Sequence, residues 1–181
     1  MASVSTVYLG GGCFWCLQTA FKLLDGVIES VSGYMGGDMP NPDYESVCSG
    51  RTGHIEVVKV VFDTGVLPLN QVLTSFFALH DPTSMDQQGA DKGTQYRSAI
   101  FYQTDEQQKA IAEFIASLEV RQVYNKPIVT QVQQAPEFYP AEDYHQDYFE
   151  KNPLQGYCQM VVAPKLEKFI HASQGLLKKA D

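Results

Sequence analysis

Hydrophobic positions first recur along residues 4–9, an apolar run that reads as a short strand, and then at Leu17, Ala20, Phe21 and Leu24, the spacing of one helical face. Asp25 and Gly26 end that helix. Strand character returns over residues 27–33 and gives way to a segment, running through Gly53, whose Gly36, Gly37, Pro40 and Pro42 cannot sustain regular structure. A long loop is predicted there, and such loops in compact domains are often functional. The clearest strand spans residues 55–62. Within it Glu56 alternates in register with Val58, Val60 and Phe62, so a carboxylate shares the face of three large apolar side chains. If that face is the core face, Glu56 is a partly buried acid with a raised pKa.

Pro68 followed by Val72, Leu73, Phe76, Phe77 and His80 predicts a second helix with the proline in its first turn. Residues 81–95 form a polar loop and residues 97–102 a strand. Thr104 and Gln107 then have the spacing of a capping box ahead of a third helix, whose buried stripe is Ile111, Phe114, Ile115 and Leu118. Residues 128–132 give one more strand. Beyond it, Phe138, Tyr139, Tyr144, His145, Tyr148, Phe149 and Tyr157 crowd a stretch that also holds Pro136, Pro140 and Pro153. That texture predicts a wrapping segment with short helical pieces. Pro164 opens a last helix on Leu166, Phe169 and Ile170. Strands alternating with helices predict an α/β two-layer sandwich, a mixed sheet covered by helices. With no internal repeat or long linker, one domain is expected over residues 1–181. The glycines before Cys13 do not make the dinucleotide pattern, and no GKS or GKT follows them.

Charge narrows the functional classes. The formal net charge of −8, from 21 acidic and 13 basic residues, leaves no dense Lys/Arg cluster beyond Lys178 and Lys179, which argues against binding to a phosphate backbone. No charged leader precedes an apolar segment and no apolar stretch approaches a membrane span, so a cytoplasmic protein without membrane association is expected. No heptad or isolated apolar strand demands a partner subunit, and a monomer is expected.

The four cysteines, at positions 13, 16, 48 and 158, carry the chemistry more through placement than number. Cys13 follows Gly11 and Gly12 at the point where the first strand ends and the first helix begins. Unpartnered backbone N–H groups at a helix N-terminus favour an anion, which biases such a cysteine toward the nucleophilic thiolate. Phe14 and Trp15 are either ordinary core or an apolar wall for a thioether, sulfoxide or methyl group. Cys16 has three readings: one half of a metal pair, the second thiol of a redox dithiol, or packing on the helix. Tyr44, Asp91 and Tyr96 cannot be assembled with Glu56 by local spacing alone.

Longer motifs bring these residues together. The run from Gly11 to Trp15 resembles the active-site signature of the peptide methionine sulfoxide reductase A family, and so do Gly33-Tyr34-Met35-Gly36-Gly37 and Pro40-Asn41-Pro42-Asp43-Tyr44. The likeness continues through Val47-Cys48-Ser49-Gly50, Thr52-Gly53-His54-Ile55-Glu56 and His80-Asp81-Pro82-Thr83. It extends through the run from Gln88 to Ser98, and reaches the tail in Ala141-Glu142-Asp143-Tyr144-His145-Gln146-Asp147-Tyr148 and Asn152-Pro153. The resemblance implies an α+β fold with a ferredoxin-like core and a wrapping C-terminal segment. It also implies reduction of the S epimer of methionine sulfoxide, free or in proteins and peptides, with thioredoxin as reductant. By the same resemblance Cys13 is the nucleophile, Glu56 the acid beside the sulfoxide oxygen, and Phe14 and Trp15 the rings that hold the substrate methyl group. Tyr44 and Tyr96 hydrogen-bond the oxygen, and Asp91 helps bind substrate. Cys158 matches the resolving cysteine of some relatives. Cys16 replaces a glycine common in the family, giving a GCFWC variant in which Cys16 or Cys158 resolves first, or both act in series; Cys48 has no assigned role.

Mechanistically, a protonated Glu56 would turn the sulfoxide oxygen into a leaving group while Cys13 attacks sulfur, leaving a sulfenic acid that a second thiol condenses to a disulfide. Those steps require no cofactor or metal. Two rival readings are a thiol sensor that binds oxidised methionine without turnover and a disulfide oxidoreductase built on Cys13 and Cys16.

Overall fold

The computed structural model describes residues 3–179. Strand β1 (Val4–Gly10) leads into helix α1 (Phe14–Lys22), and β2 (Val27–Met35) follows the turn at Asp25 and Gly26. A short helix, α2 (Tyr44–Cys48), precedes β3 (Ile55–Asp63) and α3 (Leu69–Ala78). A small hairpin, β4 (Gln87–Gln88) with β5 (Asp91–Lys92), and a 3₁₀ turn at Thr94–Tyr96 lie before β6 (Ala99–Tyr102). Next come α4 (Asp105–Val120), β7 (Gln131–Gln134), β8 (Tyr139–Pro140), a 3₁₀ turn at Asp143–His145, α5 (Tyr148–Lys151) and α6 (Ala163–Ala172). No described helix is long and apolar enough to cross a membrane.

The main sheet has the order β7-β6-β1-β3-β2-β8. Its four central strands are mutually antiparallel and its β6–β7 edge is parallel, so the sheet is mixed. The β1-α1-β2-β3-α3-β6 connectivity with β6-β1-β3-β2 neighbours is the ferredoxin-like arrangement. Alternation along each strand divides the sheet into two faces. Val7, Leu9, Val58, Val60 and Phe62 face the helices, where Leu17, Phe21, Leu73, Phe76, Ile111, Leu166 and Phe169 close the principal core. Tyr8, Met35, Ile55, Val57, Ala99 and Phe101 form a smaller cluster on the other face, covered by Ala135 and Phe138. Helices therefore cover one face together with most of the C-terminal segment, and the stretch carrying Ala135 and Phe138 covers the other.

Several local expectations need revision. The long loop holds α2, because Asp43 caps it: Asp43 Oδ1 accepts the Ser46 N–H at 2.8 Å while Ser46 Oγ accepts the Asp43 N–H at 3.1 Å. Pro68 is the N-cap of α3 instead of a member of its first turn. Thr104 caps α4 through the Gln107 N–H as expected, but Gln107 Oε1 accepts from Gln103 one residue upstream, so only half of the box forms. The strand expected at residues 128–132 lies at Gln131–Gln134, since the Val129 N–H donates to Pro82 O and ties the earlier residues to the 81–83 loop. The wrapping tail adds a two-residue strand, β8, to the β2 edge. The last helix begins in a π-helical turn at Cys158–Val162, ahead of Pro164; a wider turn tolerates the missing proline N–H.

Candidate active site

Antiparallel pairing brings the C-terminal ends of β1 and β2 to the N-terminal ends of β3 and β6. At that end of the sheet the chain must leave β1 and enter α1 within a few residues. Gly12 makes the turn with a φ of +92°, and a Cβ on Gly11 would lie 2.8 Å from His80 Cγ. Cys13 is the resulting N-cap of α1, and its own side chain caps no backbone N–H.

Cys13, Phe14, Trp15, Tyr44, Glu56, Asp91 and Tyr96 line one cavity of about 250 Å³. Residues that local spacing could not assemble are thus brought together: Tyr44 as the first residue of α2, Glu56 as the second of β3, Asp91 on the hairpin and Tyr96 in the 3₁₀ turn. Gln155 and Tyr157 complete the lining from the tail. Their signal in the sequence is only the aromatic density around Cys158, which points to wrapping and not to a cavity.

Glu56 is 1% exposed and faces the helix side of the sheet, as its register predicts. Oε1 accepts the Phe14 N–H at 3.2 Å, whereas Oε2 is buried with no partner. Burial dominates and pushes its pKa up to about 8, with the Asp91 charge adding to the shift and the Phe14 N–H opposing it. The carboxyl is therefore protonated at neutral pH. Cys13 departs from the expected thiolate bias. Burial, then the Glu56 charge, hold its pKa well above the ordinary thiol range, while the Trp15 N–H and the Tyr157 hydroxyl pull the other way. The helix terminus contributes the stabilisation expected of it and desolvation outweighs it. Burial likewise raises the pKa values of Tyr44, Tyr96 and Tyr157, so these hydroxyls remain donors. Tyr157 donates to Asp91 Oδ2, which fixes a tail residue against the hairpin.

The aromatic wall is closely packed. Phe14 is fully buried against Tyr34 and His145, with ring centroids 5.6 and 5.3 Å away. Trp15 stacks on Tyr148 at 3.8 Å and meets Tyr157 in a T-shaped contact. Its Nε1–H donates to His145 Nδ1 at 3.0 Å, which requires a neutral imidazole protonated on Nε2. Burial lowers the His145 pKa and favours that neutral form. The tail carrying His145 is locked to α1 and β2 through Gln18, Ser32 and Gln146: Gln146 Oε1 accepts from the Ser32 N–H and from Gln18 Nε2, both at 3.0 Å.

All four cysteines are free thiols. Neither Cys16 nor Cys158 lines the cavity. Cys16 sits in the principal core, and burial pushes its pKa up to about 11. Cys158 is fully buried at the start of the π-helical turn, its N–H donating to Gln155 Oε1. Cys48 is exposed at the end of α2, near the Tyr44 hydroxyl.

Comparison with known proteins meets this geometry. The family model described as peptide methionine sulfoxide reductase matches residues 5–176. A peptide methionine sulfoxide reductase MsrA of Polynucleobacter asymbioticus is 54% identical over 161 residues, covering 89% of this chain and 85% of the relative. Among solved structures, methionine sulfoxide reductase A of Corynebacterium diphtheriae aligns with a TM-score of 0.81 at 36% identity, covering 87% of this chain and 78% of that one. Reduced Mxr1 from Saccharomyces cerevisiae aligns with a TM-score of 0.79 at 36% identity, covering 86% and 89%; Mxr1 has also been solved in complex with Trx2.

Proposed function

Because the chain belongs to the peptide methionine sulfoxide reductase family, we propose that the cavity around Cys13 reduces the S epimer of methionine sulfoxide, in peptides, proteins or as the free amino acid, and is recycled by thioredoxin. The observation that carries the mechanism is the unpartnered Oε2 of a protonated, buried Glu56 in the wall of the same cavity as Cys13.

The substrate methyl group packs against Phe14 and Trp15, and the oxygen turns toward Glu56, Tyr44 and Tyr96. Fixing methyl, oxygen and the attacked sulfur at separate places admits one configuration at sulfur. Glu56 gives its proton to the oxygen and Cys13 attacks the sulfur, its thiol proton passing to the vacated carboxylate. That attack bonds the two sulfurs; the hydroxyl then passes from the substrate sulfur to Cys13 sulfur as the S–O and S–S bonds break, the S–S electron pair staying on methionine. Methionine sulfur is reduced by two electrons, Cys13 is oxidised to a sulfenic acid, and Glu56 ends protonated. A second thiol displaces the sulfenic oxygen as water, and the disulfide passes its oxidation to thioredoxin.

For the second thiol the structure favours Cys158, because its neighbour Tyr157 already reaches into the cavity while Cys16 is anchored in the core. Mxr1 in complex with Trx2 supports thioredoxin as the reductant. Four free thiols suit a reducing compartment, in keeping with a cytoplasmic repair role under oxidative stress.

The test is thioredoxin-dependent turnover of the two separated epimers of a peptide methionine sulfoxide, with mass spectrometry of Cys13 after one turnover. Turnover of the S epimer alone, with Cys13 oxidised, is expected. Equal turnover of both epimers would overturn the stereochemical reading, and turnover of neither would leave a sulfoxide sensor.

A further inference from the structure

The 250 Å³ cavity is matched to one side chain, so a polypeptide carrying methionine sulfoxide must lie outside it. A groove of about 800 Å³ adjoins it and shares Asp91 and Tyr157 with its wall. Leu79, Tyr124 and Phe169 give the groove apolar surface between the end of α3, the residue 124–126 loop and α6. Lys126, Lys165 and Lys168 line it as well.

The lysines are conspicuous against a chain of net charge −8. Lys165 and Lys168 are one turn apart on α6, and no ion pair within 4.0 Å engages any of the three lysines among the described residues. Two carboxylates share the groove, and both are engaged elsewhere. Asp91 accepts from Tyr157, and Asp81 accepts the Thr83 N–H at 2.9 Å and hydroxyl at 2.6 Å. Lys165 acts inward, its charge reaching both His80 and Cys16. The bonds to Asp81 and Asp91 leave both carboxylates charged and Lys126 acts on Asp81, so the excess positive charge in the groove lies with Lys165 and Lys168.

We propose that this groove holds the polypeptide flanking the sulfoxide and selects acidic segments, with Lys165 and Lys168 as the principal determinants and Lys126 at the opposite wall. The inference rests on the reductase reading and extends it to substrate choice. Acidic flanks are drawn to the lysines while the apolar floor takes the intervening side chains, and the groove's continuity with the cavity keeps the two engagements on one chain. Free methionine sulfoxide has no flanks and gains nothing from the groove.

The experiment measures the second-order rate constant of sulfoxide reduction under single-turnover conditions, with pre-reduced enzyme so that recycling does not enter. Substrates are peptides with methionine sulfoxide flanked by Glu, Gln or Lys, and free methionine sulfoxide. Parent enzyme is compared with the double variants Lys165→Gln/Lys168→Gln and Lys165→Arg/Lys168→Arg. The parent should favour the Glu-flanked over the Gln-flanked peptide by roughly fivefold, the sum expected of a few exposed ion pairs, and high salt should erase the preference. The Gln variant should lose the preference, the Arg variant should retain it, and free methionine sulfoxide should react at the parent rate with all three. Equal rates on Glu- and Gln-flanked peptides with the parent would overturn the proposal while leaving the reductase reading intact. A preference that survives in the Gln variant would also overturn it. Failure to reduce any sulfoxide would overturn the reductase reading and this one with it.

Discussion

At Cys13 and Glu56, burial acts on two acids in the same direction: both are held protonated, and the two charges oppose each other across one cavity. Neither acid therefore adds a charge to the cavity they share with Asp91 before a sulfoxide oxygen accepts a proton. Glu56→Gln preserves the shape of the carboxyl and can still accept the Phe14 N–H through its amide oxygen. It has no proton to give, so the rate of a single reductive turnover should fall by roughly 10² or more, as expected for losing a general acid. An unchanged single-turnover rate would remove Glu56 from the chemistry. The same substitution should stabilise the fold. Between an unfolded glutamate pKa of about 4.3 and the folded value of about 8, the folded chain holds a proton that the unfolded chain has released, so stability falls as pH rises through that window. A glutamine amide has no such dependence, and the advantage of the variant over the parent should grow by on the order of 1 kcal/mol per pH unit from about pH 5 to about pH 8. Thermal unfolding of both proteins across that range measures it, and parallel stability curves would contradict the burial argument. Cys13→Ser should abolish turnover, because a hydroxyl can neither attack sulfur at neutral pH nor become a sulfenic acid; residual sulfoxide reduction would move the nucleophile elsewhere.

Elements that depend on local pattern are legible in the sequence, and those that depend on distant partners are not. The two-residue alternation of β3 places Glu56 on the core face, and the glycines after β1 place Cys13 at a helix start. Helix α2 is hidden because Ser46 stands where a capping box more often has Glu or Gln. Strand β7 is displaced because the Val129 N–H bonds to a loop 47 residues earlier, which no window of sequence can show. For the site, motif resemblance supplies Tyr44, Asp91 and Tyr96, but Tyr157 and Gln155 belong to it only through the fold of the tail. The turn between β1 and α1 is where an element-scale change should reach the chemistry. Gly12 has φ of +92°, and an added Cβ would sit 3.0 Å from Gln88 Cβ. Gln88 cannot yield easily, since its amide bonds both the N–H and the carbonyl of Asp81, and its register partner on the hairpin is Asp91. Gly12→Ala should cost about 1–2 kcal/mol from the left-handed backbone alone and raise the KM for sulfoxide by shifting the hairpin. Thermal unfolding and steady-state kinetics test the two parts separately, and parent-like values in both would show that the turn relaxes freely.

On the scale of the whole molecule, the reductive and resolving halves of the reaction make opposite demands on the tail. Reduction needs the tail closed: His145 holds the Trp15 indole, Tyr148 stacks on it, and Tyr157 closes the cavity, all on a segment tied to β2 through Gln146. Resolution needs a thiol at Cys13, yet Cys158 and Cys16 are both buried and neither lines the cavity. In the proposed mechanism one of them moves after the sulfenic acid forms. Freeing Cys16 would open the core of the ferredoxin-like unit, where it packs with Leu17, Phe21 and their neighbours. Freeing Cys158 requires the start of the π-helical turn at Cys158–Val162 and the irregular residues before it to unwind, which can leave Val162 at the turn's end in the core. Single-turnover oxidation of Cys158→Ser should therefore accumulate the Cys13 sulfenic acid, trapped and detected by mass spectrometry, whereas Cys16→Ser should proceed to a Cys13–Cys158 disulfide at close to the parent rate. Accumulation in the Cys16 variant instead would mean that the core opens first, and that the tail receives the disulfide only afterwards.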